Sequence, residues 1–311
     1  MPTLLRLSAV THFYGKNRAL NNVSLTVDTG AVGLVGQNGA GKSTLMQILL
    51  GLIRPTQGAV QVLGSDVRSG GIELRGRIGY MPERDALVPG LNGVEYAALA
   101  GELSGLSRKQ ALRRAHEMLS SLGMEDARYR QLEQYSVGMK QRLKLAASLV
   151  HDPDVLLLDE PTAGLDPDGR TAMLALLSSL AARKNKSLIL SSHLLGDIER
   201  VCGSAVVLDR GQIVGAGRID ELRSKLRRCY QITWQGNGDG YLADLQQSGA
   251  EVLANSQQGA ARVAVPDEWT TRTFFAHAST HGAVLTGLEP EEEDFEAIYH
   301  RLIQGKQQIA E

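Results

Sequence analysis

Nine residues, GQNGAGKST at positions 36 to 44, combine the residue types that bind phosphate. They fit the pattern G-x-x-x-x-G-K-[ST] and lie between a strand-like run, AVGLV, and a helix-like run, STLMQILLGL. Glycines let backbone N–H groups point inward around phosphate oxygens, and the helix adds its positive end. The candidate phosphate-binding residues are Gly36, Asn38, Gly39, Gly41, Lys42, Ser43 and Thr44. We expect the Lys42 ammonium to bridge β- and γ-phosphates and the Ser43 hydroxyl to bind Mg²⁺. The alternative is a glycine-rich turn without a ligand.

Two adjacent carboxylates follow a second strand-like run, VLLLDEP at positions 155 to 161. Its four apolar residues are typical of a strand buried on both faces, and Asp159 at its end is placed to hold Mg²⁺ directly or through water. Glu160 suits a general base that polarises an attacking water, which favours hydrolysis over transfer to an organic acceptor. The alternative for Glu160 is a solvated charge at a strand end, since Pro161 ends the strand.

Strands and helices that would position these groups alternate over the first 220 residues. Strand-like runs at 33–35, 155–158 and 187–190 each precede a helical pattern. This order indicates an α/β fold with a mostly parallel sheet covered on its faces.

Two additions interrupt that alternation. The runs LLRLSAV, ALNNVSLTV and GAVQVLG alternate with period two and predict antiparallel strands. Between residues 92 and 150 helical patterns replace the strand patterns, which predicts a mainly helical subdomain.

The pattern changes beyond about residue 226. Strand-like and helix-like runs follow in the order CYQITW, YLADLQQSG, AEVLA, ARVAV, WTTRTFFAHASTHG and AVLTGL, before a last helical run, EEDFEAIYHRLI. This order predicts a small α+β module of βαββαβ type with an added helix. We therefore expect two domains, residues 1–225 and 226–311.

The amino-acid composition limits the kinds of function that fit this chain. The chain has 311 residues, a formal net charge of -1 and a pI near 6.7, so no global basic field favours a nucleic-acid partner. Cys202 and Cys229 are the two cysteines, as is common in a reducing compartment, and a cytoplasmic location is expected. The amino terminus lacks a signal-peptide pattern, and the apolar runs are too short to span a bilayer.

The segment YSVGMKQRL at positions 135 to 143 identifies which kind of phosphate-binding protein this is. It resembles the signature of ABC-type ATPases, a family of P-loop NTPases, whose usual form is LSGGQ followed by x-Q-R. Ser136 and Gly138 match that signature, whereas Val137 and Met139 replace a glycine and a glutamine. Taken alone, Ser136 also fits an ordinary helix N-cap.

Other family motifs occur in the family's order over about 220 residues. Tyr14 resembles the aromatic residue that stacks on adenine, with ordinary packing as the alternative. Asp166 in TAGLDP matches the carboxylate of the family's D-loop, and His193 in LILSSH matches the histidine that contacts the γ-phosphate. Glu83 stands where the family has a glutamine near Mg²⁺; it is either a further ligand of the metal shell or a solvated loop charge.

The resemblance implies an ATPase that uses ATP and Mg²⁺, with Glu160, His193 and Lys42 as the catalytic residues. It implies a head-to-tail dimer with a second copy or a paralogue, in which each ATP lies between the cradle of one subunit and the Ser136 turn of the other. It further implies a separate membrane permease, served peripherally from the inner face of the membrane. IGYMPE and the small C-terminal module resemble the exporter-associated branch, which serves drug, antibiotic, sodium or polysaccharide efflux.

Two other functions compete with transport. A non-transport ABC ATPase acting on ribosomes or DNA usually has a second cassette or long coiled coils, and neither is seen in this sequence. A small-molecule kinase would leave the signature and His193 without a role.

In the tail, His277 and His281 have the i, i+4 spacing of metal ligands on a helix, but no cysteine or carboxylate at matching spacing accompanies them. The acidic run EPEEEDFE is expected to line the first turn of the last helix.

Overall fold

The computed structural model describes residues 3–84, 87–183, 185–224, 228–256, 259–266 and 268–291. The strands are β1 (Thr3–Tyr14), β2 (Asn17–Asp28), β3 (Ala31–Val35), β4 (Gln57–Val62), β5 (Ser65–Asp66), β6 (Ile78–Met81), β7 (Val155–Asp159), β8 (Ser187–Ser192), β9 (Ser204–Asp209), β10 (Gln212–Arg218), β11 (Arg228–Gly236), β12 (Glu251–Ser256), β13 (Ala260–Val265) and β14 (Ala283–Glu291). The α-helices are α1 (Lys42–Leu49), α2 (Gly71–Gly76), α3 (Gly93–Leu103), α4 (Arg108–Ser121), α5 (Val137–Leu149), α6 (Pro167–Ala181), α7 (Leu195–Val201), α8 (Ile219–Ser224), α9 (Gly238–Gln247) and α10 (Thr271–Thr280).

A six-stranded sheet organises the first part of the chain, in the order β10-β9-β3-β8-β7-β6. The adjacent strands in the series β9-β3-β8-β7-β6 are parallel to one another, and β10 is antiparallel to β9. All residues of β7 and β8 are buried, as continuous apolar strands between two layers require. The α/β fold class predicted from the alternating pattern is confirmed. Because β3, β7 and β8 are parallel, their carboxyl ends bring the segments that follow Val35, Leu158 and Ser192 to one edge.

A four-stranded antiparallel sheet, in the order β2-β1-β4-β5, forms the second layer. Its three long strands correspond to the three runs with period-two alternation, as predicted. Leu4 and Leu20 of this sheet share one buried cluster with Met46 of α1 and Leu157 of β7. Helix α1 is therefore held between the two sheets, which fixes the position of the segment that precedes it.

Helices replace strands between residues 92 and 150, where α3, α4 and α5 form. Side chains start each helix: Asn92 and Ser107 form capping boxes with Glu95 and Gln110, and Ser136 accepts a hydrogen bond from the Met139 N–H. Ser136 thus performs the capping role that was the alternative for this residue.

The chain divides into two compact units, and the second begins at Asp220. The domain boundary predicted between residues 225 and 226 falls among residues 225–227, which lie outside the described part of the chain. The second unit follows the predicted order β11-α9-β12-β13-α10-β14 and forms an antiparallel sheet in the order β12-β13-β11-β14. Tyr241 and Phe274, both 0% exposed, pack its helices onto Trp234 and Trp269. The predicted last helix and most of the acidic run lie beyond residue 291, outside the described residues.

The two histidines of this second unit contact a carboxylate that their sequence spacing does not indicate. His277 and His281 do have a carboxylate beside them, because Asp244 on α9 lies 2.7 Å from His277 Nδ1 and 3.2 Å from His281 Nε2. Sequence spacing missed it because Asp244 comes from a different helix. No group of three His, Cys, Asp or Glu side chains within the described residues could hold a metal ion. Likewise, none of the helices in the described ranges has the length and apolar character needed to cross a membrane.

Gly33 on β3 is expected to be intolerant of a side chain. A Cβ at this position would overlap Cγ2 of Ile198, which is itself 0% exposed on α7. Because overpacking of this kind costs about 1–3 kcal/mol, Gly33→Ala should lower the urea midpoint of unfolding measurably. Gly196→Ala on the same helix is the matched control, since nothing lies within 4 Å of a Cβ there. Equal midpoints for the two variants would contradict the close contact between β3 and α7.

Candidate active site

The loop between β3 and α1 is shaped to surround an anion. Gly41 immediately precedes α1 and has φ 107°, and a Cβ there would lie 2.8 Å from the Ala19 carbonyl oxygen. A residue with a side chain therefore fits poorly, because of both the left-handed backbone and the close neighbour. Within the described residues no side chain caps α1. Its first N–H groups are consequently available to a ligand, together with the helix dipole.

Lys42 lies at the bottom of this loop and is only 6% exposed. Its ammonium donates hydrogen bonds to the Gly36 carbonyl at 2.6 Å and the Gln37 carbonyl at 3.4 Å, and it lies 3.6 Å from Glu160 Oε1. A buried ammonium held mainly by neutral carbonyls can move to a stronger anionic partner such as a phosphate. Gly36 is buried and contributes its carbonyl rather than a surface of the cleft.

Asp159 ends β7 with 4% of its surface exposed. Its Oδ1 atom is buried and has no hydrogen-bond partner among the residues that the structure describes. A buried carboxylate oxygen without a donor is costly unless a cation reaches it. The pKa of Tyr80 is raised to about 12, mainly by burial and further by the negative charges of Asp159 and Glu83. Negative charge is therefore concentrated around Asp159. These features, with the Ser43 hydroxyl in the same cleft, fit a hard divalent cation such as Mg²⁺.

Glu160 is held in an unusual backbone conformation. Its φ is 48°, a left-handed value that is uncommon for a residue with a side chain, and its N–H donates to the Ser191 carbonyl at 3.0 Å. The Glu160 Oε2 atom lies 2.9 Å from His193 Nδ1. The side chain is thus directed between Lys42 and His193, at the carboxyl ends of β7 and β8.

The electrostatics of Glu160 suit proton transfer. Burial raises the pKa of Glu160 above the ordinary glutamate value, while the charges of His193 and Lys42 oppose that rise. A carboxylate with a raised pKa is a better base, once ionised, than an exposed one, and the positive charge of Lys42 favours the ionised form. The arrangement can accept a proton from a water molecule in the cleft.

A cleft of about 460 Å³ connects these groups. Eleven of the predicted site residues line it: Tyr14, Asn38, Gly39, Gly41, Lys42, Ser43, Thr44, Glu83, Asp159, Glu160 and His193. The sequence did not indicate five further lining residues: Asn17, Arg18, Ala19, Gln37 and Ala163. Arg18 follows the tight turn between β1 and β2, so its nearness to Tyr14 could have been inferred from the hairpin pattern.

Tyr14 forms the outer end of this cleft and is 47% exposed. Its hydroxyl donates to Gln47 Oε1 at 3.1 Å, and its ring meets the His12 ring edge-on with centroids 4.7 Å apart. These contacts fix the ring at the mouth of the cleft. Its stacking on a base stays a prediction.

Besides Gly36, three predicted residues do not line the cleft of their own chain. Ser136 and Asp166 are exposed helix caps, and Asp166 accepts a hydrogen bond from the Gly169 N–H at 2.9 Å. Gly138 lies two residues after Ser136, where a Cβ would be 3.7 Å from Leu165. Next to these residues Val137 is 51% exposed. The turn that carries Ser136 and the loop that carries Asp166 thus form a neighbouring surface of the same chain.

A buried ion pair connects the segments that carry Glu160 and His193. Asp197 on α7 is 1% exposed, accepts a hydrogen bond from the Thr162 hydroxyl at 2.5 Å, and accepts another from Arg170 Nε at 2.7 Å. Thr162 follows Glu160 by two residues, and Asp197 follows His193 by four. The pair therefore helps to fix the distance between the carboxylate and the histidine.

Comparison with known proteins gives a consistent result. Residues 20–163 match the family described as ABC transporter. An uncharacterized ABC transporter ATP-binding protein of Bacillus subtilis (strain 168), YxlF, is 33% identical over 302 residues, which are 96% of this chain and 99% of that protein. The bacitracin transport ATP-binding protein BcrA of Bacillus licheniformis is 33% identical over 233 residues, 75% of each chain. Among solved structures, a dimer of the ATP-binding cassette MJ0796 in a post-hydrolysis state with ADP and Pi aligns with a TM-score of 0.64 at 26% identity, over 70% of this chain and 99% of that one.

Proposed function

Because the chain belongs to the family of ABC transporter ATP-binding proteins, we propose that it is the subunit that binds Mg-ATP, hydrolyses it to ADP and phosphate, and drives a separate membrane permease. The observation that carries the hydrolytic part is the placement of Glu160 between Lys42 and His193, next to Asp159. A lysine ammonium, a histidine and a metal-binding carboxylate around one buried glutamate suit the attack of water on a phosphate.

The main polar groups of the cleft have distinct roles in this reaction. The free N–H groups at the start of α1 bind the phosphates, and Lys42 leaves the Gly36 carbonyl to bind their oxygens. Glu160 accepts the proton of the attacking water, and His193 holds the carboxylate and contacts the γ-phosphate. Asp159 and Ser43 would hold Mg²⁺, which supplies positive charge to the phosphate oxygens. Tyr14 stacks on the adenine ring at the mouth of the cleft.

The working unit is a head-to-tail dimer. Ser136, Gly138 and Asp166 lie outside the cleft of their own chain, on an exposed surface next to it, so they are free to reach a nucleotide bound to another copy. The α5 N-terminus at Ser136 would direct N–H groups toward the γ-phosphate across the interface. The dimeric ADP- and Pi-bound structure of a relative supports this arrangement. The partner is a second copy or a paralogue.

The permease is a separate protein, and the chain acts on the inner face of the membrane through it. We place the contact near residues 80–84, where the loop after β6 meets the helical segment. Export is the proposed direction, because the relative from Bacillus licheniformis is a bacitracin transport protein. No nucleic-acid partner is expected, given the net charge of -1.

Co-purification tests the transport role. A tagged chain isolated from detergent-solubilised membranes of its own organism should carry with it a protein with several membrane spans. Mg-ATP should change the yield of that complex, because nucleotide alters the dimer that contacts the permease. Enrichment with ribosomes or DNA, and with no membrane protein, would replace transport by the non-transport alternative.

A further inference from the structure

Lys144 is a buried cation that the catalytic scheme does not use. It lies on α5 and is only 2% exposed. Its ammonium donates hydrogen bonds to the carbonyl oxygens of Pro82 and Glu83, each at 3.0 Å. A lysine this deeply buried must have its donors satisfied, because removing an ammonium from water is costly. Lys144 therefore connects α5 firmly to the segment 82–83.

The segment 82–83 lies just beyond the edge strand of the six-stranded sheet. β6 is the last strand in the order of that sheet, and within the described residues it pairs with β7. It ends at Met81, and Pro82 has no N–H to donate to a sheet partner. The lysine side chain thus supplies contacts at the point where the chain leaves the sheet.

What this segment carries is the Glu83 carboxylate. Glu83 lines the same cleft as Asp159 and Glu160, so three carboxylates converge there. Glu83 is exposed and like charges repel one another, so the position of its carboxylate depends on the backbone that carries it. The two hydrogen bonds from Lys144 hold that backbone.

Helix α5 holds a second loop of the cleft in the same way. Gln141, three residues before Lys144 and on the same helical face, donates through Nε2 to the Ala163 carbonyl at 3.0 Å. The Ala163 N–H in turn donates to the Glu160 carbonyl at 3.0 Å. One face of α5 thus contacts both loops that carry carboxylates.

We infer that Lys144 is a positioning residue that sets Glu83 at the metal side of the Mg-ATP site. This inference rests on the proposed function, since it assigns Glu83 a place beside Mg²⁺. Lys144 is not among the residues that line the cleft. It acts by fixing the backbone from which the Glu83 side chain reaches the cleft, where the carboxylate accepts hydrogen bonds from the water around the metal.

Lys144→Met tests this role, because it keeps the length of the side chain and removes the charge and its donors. Misplacing a group near the reacting centre is expected to lower kcat by about tenfold or more, with the KM for ATP within about twofold. In a titration followed by binding of a fluorescent ATP analogue rather than by turnover, the half-saturating Mg²⁺ concentration should rise several-fold. Lys144→Arg should recover most of kcat. Lys109→Met on the exposed surface of α4 is the control and should match the parent in all three quantities.

A double substitution separates positioning from general support of the fold. If Lys144 acts through Glu83, adding Lys144→Met to Glu83→Ala, which removes the polar group altogether, should change kcat by less than about twofold. The inference is overturned if the single variant keeps the parental Mg²⁺ response, or if the effects of the two substitutions simply multiply. Should Lys144→Met not fold, Lys144→Gln is measured against the same criteria. A parent chain that does not hydrolyse Mg-ATP would instead refute the proposed function itself.

Discussion

Replacing Glu160 with glutamine is expected to lower ATP hydrolysis by about 100- to 10,000-fold, the range that a positioned general base contributes. Glutamine has nearly the same shape but cannot accept the proton of the attacking water. The N–H groups of α1 and the Lys42 ammonium are unchanged, so Mg-ATP should still bind. With binding intact and hydrolysis blocked, the ATP-bound dimer should accumulate.

Phosphate release measures the first effect, and light scattering on a size-exclusion column measures the second. Glu102→Gln is the matched control, because Glu102 is an exposed glutamate on α3, outside the cleft. That variant should hydrolyse ATP like the parent and should not accumulate as a dimer. Parental hydrolysis by Glu160→Gln would contradict the assignment of the base.

Lys42→Ala is expected to weaken ATP binding by about 10- to 100-fold, since hydrogen bonds to charged groups contribute about 1.5–3 kcal/mol. The substitution also affects Glu160, because the Lys42 charge is one of the influences that lower the pKa of this buried carboxyl. Without Lys42 that pKa rises further, and at a given pH less of Glu160 is ionised. As the solution is acidified, the activity of Lys42→Ala should therefore begin to fall at a higher pH than the activity of the parent does.

Titration with a fluorescent ATP analogue, in the presence of Mg²⁺, gives the affinity directly. Lys109→Ala, which removes an exposed lysine from α4, should bind like the parent. Unchanged affinity in Lys42→Ala would mean that the cradle between β3 and α1 does not bind the phosphates.

Local sequence was sufficient where a residue's role follows from its own segment. VLLLDEP predicts a buried strand that ends in two carboxylates, and the structure has β7 with Asp159 at its last position. GQNGAGKST likewise predicts a loop that opens a helix, as found before α1. Parallel strands end at the same edge of a sheet, so the convergence of these two segments also follows from the pattern.

Contacts between distant segments were beyond such reasoning. In the sequence Lys144 is an ordinary helix residue. In the fold its ammonium donates a hydrogen bond to the carbonyl of Pro82, 62 residues earlier in the chain. Asp244 has no sequence relation to His277, yet α9 and α10 bring them within 2.7 Å. Which side chains meet across elements depends on tertiary packing, and one sequence does not specify that by period or spacing.

Residues that act on another copy form a separate class. Ser136 and Asp166 were identified by resemblance, and within one chain the structure gives them only capping roles. Their exposure, beside the exposed Val137, is consistent with an interface. A single chain cannot show what such residues bind, so their function must be tested in a mixture of chains.

Mixing two inactive variants tests most directly whether each ATP is shared between two copies. Lys42→Ala damages the cradle, and Ser136→Arg blocks the turn that faces the partner's nucleotide. In a head-to-tail dimer of one variant with the other, both defects fall in one site and the second site is intact. With equal amounts of the two chains, half of the dimers are mixed, so ATP hydrolysis should return to about a quarter of the parental rate. Hydrolysis that stays at the sum of the two separate variants would show that each chain completes its own site, and would contradict the account.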